Sequence, residues 1–363
     1  MLPVHTNDTL NGGASSPAES ARVMGSIVDD IGPLHSTNSG AVRWAVERGE
    51  QTGAGDMTLR PAQGGADAPE PDIIVDERLA CQLVAAQHPD LVGPIVLVAN
   101  GWDNAMFRLG EHHLVRLPRR TIAAGLVLHE QRWLPEIASR VTVSVPAPVR
   151  IGRPAPELGF DFPWSILPWF DGVSAADVEP SARTAAATAL AAFVAELGVP
   201  APVEAPSNPY RGVPLAERDE IVRGRFERGL ALRPEKIEAL RAVWDRGLAA
   251  TEWSGPPVWL HGDLHPANLV LAASGGLTAV VDFGDVCAGD PAGDLATAWL
   301  TFDALDRAVF CTEVDRLRET DAAMWDRARA WALALGSAII DTVGTGGRLG
   351  RVGVHALDAV LVD

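Results

Sequence analysis

Tyrosine and cysteine are both scarce in this chain, and its basic residues are outnumbered. Tyr210 is the only tyrosine, so Trp and Phe carry the aromatic content. The three cysteines, Cys81, Cys287 and Cys311, are scattered, with no paired spacing and no C-x-x-C. That pattern argues against a disulfide framework and a cysteine-bound zinc, and for reduced thiols. Lys and Arg total 30 against 47 Asp and Glu, a formal net charge of −17. A nucleic-acid binder normally presents a basic face, so nucleic acid is not an expected partner. The acidic balance serves solubility; attraction of a cationic substrate is the weaker reading. The most apolar stretch, Ala185–Ala195, is too short to span a bilayer and runs into Glu196. Met1 to Leu10 lack the basic-then-apolar pattern of a secretory leader. The expectation is a cytoplasmic protein with no membrane partner.

What is present is enough to build a core. The 363 residues are 47% hydrophobic, which suits two domains, or one large domain with a tail. Residues 1–70 are rich in Gly, Ser, Ala, Asn, Pro and Thr with little periodicity, and are expected to form a disordered extension. A short helical turn at Arg43–Arg48 is the most they offer. From Pro71 the pattern changes. Leu79, Leu83 and Val84 share one face of a helix expected over Asp76–His88, with Asp76 as N-cap. Strands are expected at Ile95–Val98, Phe107–Leu109, Leu114–Leu117, Val149–Ile151 and Trp164–Leu167, with a helix over Ile122–Ala138. His112 and His113 read as a hairpin turn. Beyond Pro168 helices are expected over Ser181–Leu197, Pro214–Leu230 and Pro234–Ala250, then a short strand at Val258–Leu260, and helices again from Asp290. The result is an α+β chain: a small antiparallel lobe over residues 71–168 and a helix-rich lobe over residues 169–363, joined near Leu167–Trp169.

The stretch His261–Gly284 reads HGDLHPANLVLAASGGLTAVVDFG. Phosphoryl transfer needs a carboxylate near the attacking hydroxyl and oxygen ligands for Mg²⁺. Asp263, Asn268 and Asp282 supply those groups. A hairpin of Asn268–Leu271 and Thr278–Val281, turning at Ser274-Gly275-Gly276, would return Asp282 to the same end of the structure as Asn268.

These residues resemble a known pattern. The kinase catalytic loop H-R-D-L-x-x-x-N is matched by His261, Asp263, Leu264 and Asn268, with Gly262 in place of the arginine. D-F-G is matched by Asp282, Phe283 and Gly284. The form H-G-D-x-H-P-x-N is similar to the aminoglycoside phosphotransferase and choline kinase-like family, which has a protein-kinase-like two-lobed fold. The segments Gly101–Gly110, Leu114–Arg120 and Gly289–Ala296 look like that family too. The likeness covers about residues 72–363. It implies that Asp263 accepts or orients the proton of a substrate hydroxyl and that Asn268 and Asp282 bind Mg²⁺. Asn100, Gly101 and Asn104 would lie over the phosphates of ATP or GTP. Arg116 would replace the usual phosphate-binding lysine, with Glu130 as its partner. Leu167–Trp169 would form the hinge against the base, and Asp294 would brace the catalytic loop from a helix begun by Asp290-Pro291. Arginine at position 116 departs from the general pattern, because it is a planar fork rather than a point charge.

Several of these residues have plainer readings. Aspartate is common in turns, so Asp263 alone would mean little. His261 and His265 stand at i, i+4, but Gly262 and Pro266 argue against a helix there. His261 reads as a buried structural histidine, and His265 remains open between the two roles. Glu130 has the alternative of a solvated helix position, and Asp285 lies either behind the metal motif or on the surface. The glycines of Gly344–Gly350 miss the dinucleotide spacing and follow a helix. Trp325–Leu335 reads as core. Few residues separate Asp282-Phe283-Gly284 from Asp290-Pro291, which leaves no room for the activation segment of a protein kinase. A small-molecule hydroxyl substrate is therefore expected: an aminoglycoside, another antibiotic or a metabolic alcohol. The competing functions are a non-catalytic nucleotide-binding pseudokinase and a zinc hydrolase built on His261, Asp263 and His265. The oligomeric state is not legible.

Overall fold

The computed structural model describes residues 71–363, apart from Trp102, Ala231 and Asp363. The extension expected over residues 1–70, with its turn at Arg43–Arg48, lies outside the described residues. The first helix of the described residues, α1 (Glu77–Gln87), begins as expected: Asp76 Oδ1 accepts the Leu79 N–H at 2.8 Å. Its stripe of Leu79, Ala80, Leu83 and Val84 is buried. It shares a core cluster with Phe107, Val115, Trp164 and Ile166. Full burial of a side chain such as Leu83 contributes roughly 1.5–3 kcal/mol.

Those partners come from a five-stranded antiparallel sheet: β1 (Ile95–Asn100), β2 (Asn104–Leu109), β3 (His113–Pro118), β4 (Arg150–Gly152) and β5 (Trp164–Pro168), in the order β1-β2-β3-β5-β4. Strand β2 alternates, with Ala105, Phe107 and Leu109 buried. Strand β3 is buried from Leu114 to Pro118, because α2 (Thr121–Ala138) covers part of the sheet. His113 is not in the turn, as the sequence suggested, but opens β3 opposite Leu109.

Past Pro168 come β6 (Val173–Ser174), α3 (Ala187–Leu197), α4 (Asp219–Glu227), α5 (Pro234–Ala249), β7 (Val258–Leu260), β8 (Leu269–Leu271), β9 (Leu277–Val280) and β10 (Cys287–Gly289). Helices α6 (Ala292–Leu295), α7 (Thr297–Thr301), α8 (Ala304–Leu317), α9 (Ala322–Val343) and α10 (Gly347–Ala359) complete the chain. Two helices are shorter than periodicity suggested. The 3₁₀ turns Pro180–Ala182 and Thr184–Ala186 precede α3, and Leu215–Arg218 precedes α4. Between the first two turns, the inward guanidinium of Arg183 donates to Val178 O and Thr301 O, both at 2.6 Å, and draws the chain tight. Helix α4 stops before Leu230, whose φ of 45° is incompatible with a continuing helix. Trp331 on α9 is 2% exposed, in the core where that helix was expected to pack.

Two features position the site. Strands β8 and β9 pair with Leu269 opposite Val280, and Val281 N–H donates to Asn268 O at 2.9 Å, so the residues after β9 return beside Asn268. Leu114 and Leu167 of the first sheet meet Val270 and Ala279 of this hairpin in an apolar seam. The chain is thus α+β with a small antiparallel lobe and a helix-rich one. Among the described residues no helix is long and apolar enough to cross a membrane.

Candidate active site

The loop between β7 and β8 is built from its own side chains and one distant carboxylate. His261 is 0% exposed. Its Nδ1 accepts the Asp263 N–H at 3.2 Å and its Nε2 lies 3.0 Å from Val281 O, which fixes Nε2 as the protonated nitrogen. Burial lowers its pKa to about 4, so the ring is neutral. With both nitrogens committed to backbone, His261 is a structural histidine and cannot serve as a zinc ligand. Asp294, at the start of the helical run, accepts the N–H groups of His261 at 2.6 Å and Gly262 at 3.0 Å. Burial pushes its pKa up to about 6, and those two hydrogen bonds pull it back. Pro291, not Asp290, holds the N-cap position of α6; Asp290 one residue earlier accepts the Ala292 N–H at 3.0 Å, and its carboxylate also pairs with Arg327 at 2.7 Å.

Gly262 has a reason in the backbone. Its φ is +83°, and a Cβ there would stand 2.4 Å from Asp285 O. The position that holds arginine in the kinase catalytic-loop pattern is here closed to any side chain.

Asp263 is 0% exposed. Its Oδ2 lies 3.3 Å from His265 Nε2 and 3.4 Å from Asn268 Nδ2, and Asn268 Nδ2 also donates to Asp263 O at 2.9 Å. His265 thus stands beside the carboxylate. The Asn268 amide is oriented by these bonds, so its nitrogen faces the loop and its oxygen is turned the other way. Asp282 stands with φ at 66°, an unusual conformation for a residue with a side chain. Burial raises its pKa to about 7, and Glu130 and Asp263 add to the rise against the pull of Arg116.

Asn268 and Asp282 line an open cavity of about 60 Å³ between the two lobes. Arg116 shares that polar end. Its Nη1 lies 2.6 Å from both Glu130 oxygens, with the two side chains 4% and 2% exposed. The ion-pair reading of Glu130 is therefore the observed one. An arginine here also fits the composition: Lys236 is the chain's only lysine, and it pairs with Asp358 at 2.6 Å. The other end of the cavity is apolar, with Met106, Leu114, Leu167, Pro168, Phe170 and Val281.

Not every expected nucleotide residue faces this space. Leu167 does, but Trp169 is outside the lining. Its N–H is donated to His112 O at 2.8 Å, its indole to Asp171 at 2.9 Å, and the Arg108 guanidinium sits 3.7 Å from its ring centre. Phe170 takes its place at the cavity wall. Asn100, Gly101 and Asn104 form the β1–β2 turn, closed by Gly101 N–H to Asn104 O at 2.9 Å and held by Arg119 to Gly101 O at 2.6 Å. They too stand outside the lining.

Sequence reasoning missed a second tier. Arg211 Nη2 lies 3.3 Å from Asp263 Oδ1 and 3.9 Å from Asp285 Oδ2, and Asn208 donates to Asp285 Oδ1 at 2.8 Å. Asp285 is thus directed inward. On α10, Arg348 lines the cavity and pairs with Asp177 at 3.2 Å, so the glycine-rich turn before it contributes a cation rather than a dinucleotide loop.

The donor set suits a hard cation. Asn268 and Asp282 offer one amide oxygen and one carboxylate beside a cationic wall, the pattern in which Mg²⁺ completes its shell with phosphate and water. Among the described residues no cluster of His, Cys, Asp and Glu could hold a metal by itself.

These features define a class. A sequence profile of the phosphotransferase enzyme family (APH) matches residues 94–331, more than half of the chain, and the chain belongs to that family. No curated protein sequence matches it. Among solved structures it is similar to the GDP and kanamycin complex of APH(2")-IIia, at 18% identity and a TM-score of 0.58, over 77% of this chain and 97% of the other. It is similar to ADP-bound aminoglycoside phosphotransferase APH(2'')-Ib at 17% identity and a TM-score of 0.51, over 80% and 100%. It is also similar to the apoenzyme of macrolide 2'-phosphotransferase MphH from Brachybacterium faecium at 21% identity and a TM-score of 0.52, over 78% and 98%. At these identities the likeness is one of fold, and the fold is the kinase-like one.

Proposed function

We propose that the protein transfers the γ-phosphate of ATP or GTP to a hydroxyl of a small molecule, with Mg²⁺. The observation that carries this reading is the meeting of Asn268, Asp282 and Arg116 at one end of an apolar-backed cavity, with Asp263 bonded to Asn268 beside it. The apolar end takes the base. Arg116, held by Glu130, grips phosphate oxygens. Asn268 and Asp282 would hold Mg²⁺, which when bound neutralises charge on the phosphates. Asp263 orients the acceptor hydroxyl and takes its proton, and Asp294 keeps the loop carrying Asp263 in shape. In this reading residues 71–168 are the nucleotide lobe and residues 169–363 carry the catalytic loop and acceptor site.

A small-molecule acceptor is supported by the lack of an activation segment among the described residues. After Asp282-Phe283-Gly284 the chain goes straight into β10, which pairs with β7. Kanamycin and macrolides, the substrates of the neighbouring enzymes' names, head the panel to test, followed by amino alcohols. Mg²⁺-dependent release of nucleoside diphosphate should rise when the right hydroxyl compound is added. Nucleotide binding that no added hydroxyl compound converts to turnover would favour the pseudokinase.

A further inference from the structure

An acceptor hydroxyl that donates to Asp263 has to displace something, because that carboxylate is 0% exposed. Its Oδ2 faces His265 and Asn268 at 3.3 and 3.4 Å, and its Oδ1 faces Arg211 at 3.3 Å. His265 and Asn268 belong to the same short loop as Asp263. His265 Nδ1 accepts the Ala267 N–H at 3.2 Å, and Asn268 holds Asp263 O, so moving either dismantles the loop.

Arg211 is different. It comes from residues 206–212, far away in sequence, on a long side chain. Its backbone is pinned: Ala288 N–H donates to Pro206 O and Asp290 N–H to Gly212 O, both at 2.9 Å. The two segments touch because both carry glycine there; a Cβ on Gly289 would stand 2.4 Å from Gly212 O. Its guanidinium has a second carboxylate in reach, Asp285 Oδ2 at 3.9 Å, and Asn208 fixes Asp285 through the other oxygen at 2.8 Å. The frame is rigid, and the side chain has two seats.

We infer that Arg211 is a positioning residue that covers Asp263 until an acceptor hydroxyl takes its place, whereupon the guanidinium rests on Asp285. The inference builds on the phosphotransferase reading above. Its consequence concerns water. Without an acceptor, a water oxygen can attack the γ-phosphorus, the bond to the β–γ bridging oxygen breaks, and nucleoside diphosphate and inorganic phosphate result, the water proton passing through Asp263 to solvent. Arg211 denies water the use of Asp263 and so suppresses that loss.

The test uses the full chain with no acceptor. Phosphate release from Mg–ATP or Mg–GTP is measured for wild type, Arg211→Gln and Arg211→Lys, and Asp263 is probed in nucleotide-free protein by carbodiimide labelling and mass spectrometry. Removing a charge-assisted hydrogen bond from Asp263 should raise hydrolysis in Arg211→Gln by at least about tenfold, with Asp263 newly labelled and the nucleotide Kd unchanged. Arg211→Lys, which keeps the charge and the fold, should fall between. Hydrolysis that stays level or falls in folded variants overturns the proposal and leaves the phosphotransferase reading intact. A rise without new labelling of Asp263 also overturns it, since water then arrived by another route. Failure of wild type and variants alike to bind nucleotide would overturn both readings together.

Discussion

The carboxylate of Asp294 accepts the backbone N–H of His261 at 2.6 Å, across 33 residues of sequence. A second bond to Gly262 makes Asp294 the brace of the loop that carries Asp263. Hydrogen bonds to a buried charged group are worth about 1.5–3 kcal/mol each. Asp294→Ala should therefore lower the melting temperature markedly and reduce turnover through a misplaced Asp263. Asp294→Asn, which keeps one acceptor oxygen, should be milder in both. Equal melting temperatures for Asp294→Ala and wild type would remove the brace.

The pair of Arg116 and Glu130 gives separable outcomes. Both side chains are almost fully buried, so Glu130→Ala strands a charge and should cost about 3–5 kcal/mol in chemical denaturation. Arg116→Lys keeps a cation but loses the fork, and should raise the nucleotide Kd by roughly tenfold with a smaller loss of stability. Unchanged nucleotide affinity in Arg116→Lys would move the phosphate contact elsewhere, to Arg348 first.

Asp282 predicts a pH dependence. Its folded pKa of about 7 lies above the ordinary carboxylate value, so the folded protein binds its proton more tightly than the unfolded chain does. Stability from this group is greatest at low pH and is lost as pH rises from about 4 towards 7. Asp282→Asn should then melt a few degrees above wild type at neutral pH, with the difference closing near pH 4. It should lose nearly all Mg²⁺-dependent turnover. A lower melting temperature at neutral pH would show that the carboxylate is not strained there.

The sequence carried the central constellation because it is local. His261, Asp263, Asn268 and Asp282 fall within one loop and one hairpin, and their spacing alone brings them together. Asp294 and the Arg116–Glu130 pair were reached only through the family resemblance. What stayed hidden was delivered from a distance. Arg211 and Asn208 sit in the aperiodic stretch Ser207-Asn208-Pro209-Tyr210-Arg211-Gly212, whose only signal is turn chemistry. Their contact with Asp263 and Asp285 depends on the pairing of β10 with β7, which no short-range pattern reveals. Arg348 was masked by its glycines, which drew attention to the wrong motif. Of the expected hinge residues Leu167 lines the cavity, whereas cross-strand bonding to His112 and the Arg108 contact turn the Trp169 side chain away from it.

The most direct test of the whole account is Asp263→Asn, assayed with the acceptor that supports turnover in wild type. Asparagine keeps the shape of the residue but cannot take the hydroxyl proton. The variant should fold normally, bind nucleotide with a Kd close to wild type, and turn over about 10²–10⁴-fold more slowly, the range for a positioned general base. Full transferase activity in this variant at neutral pH would contradict that role.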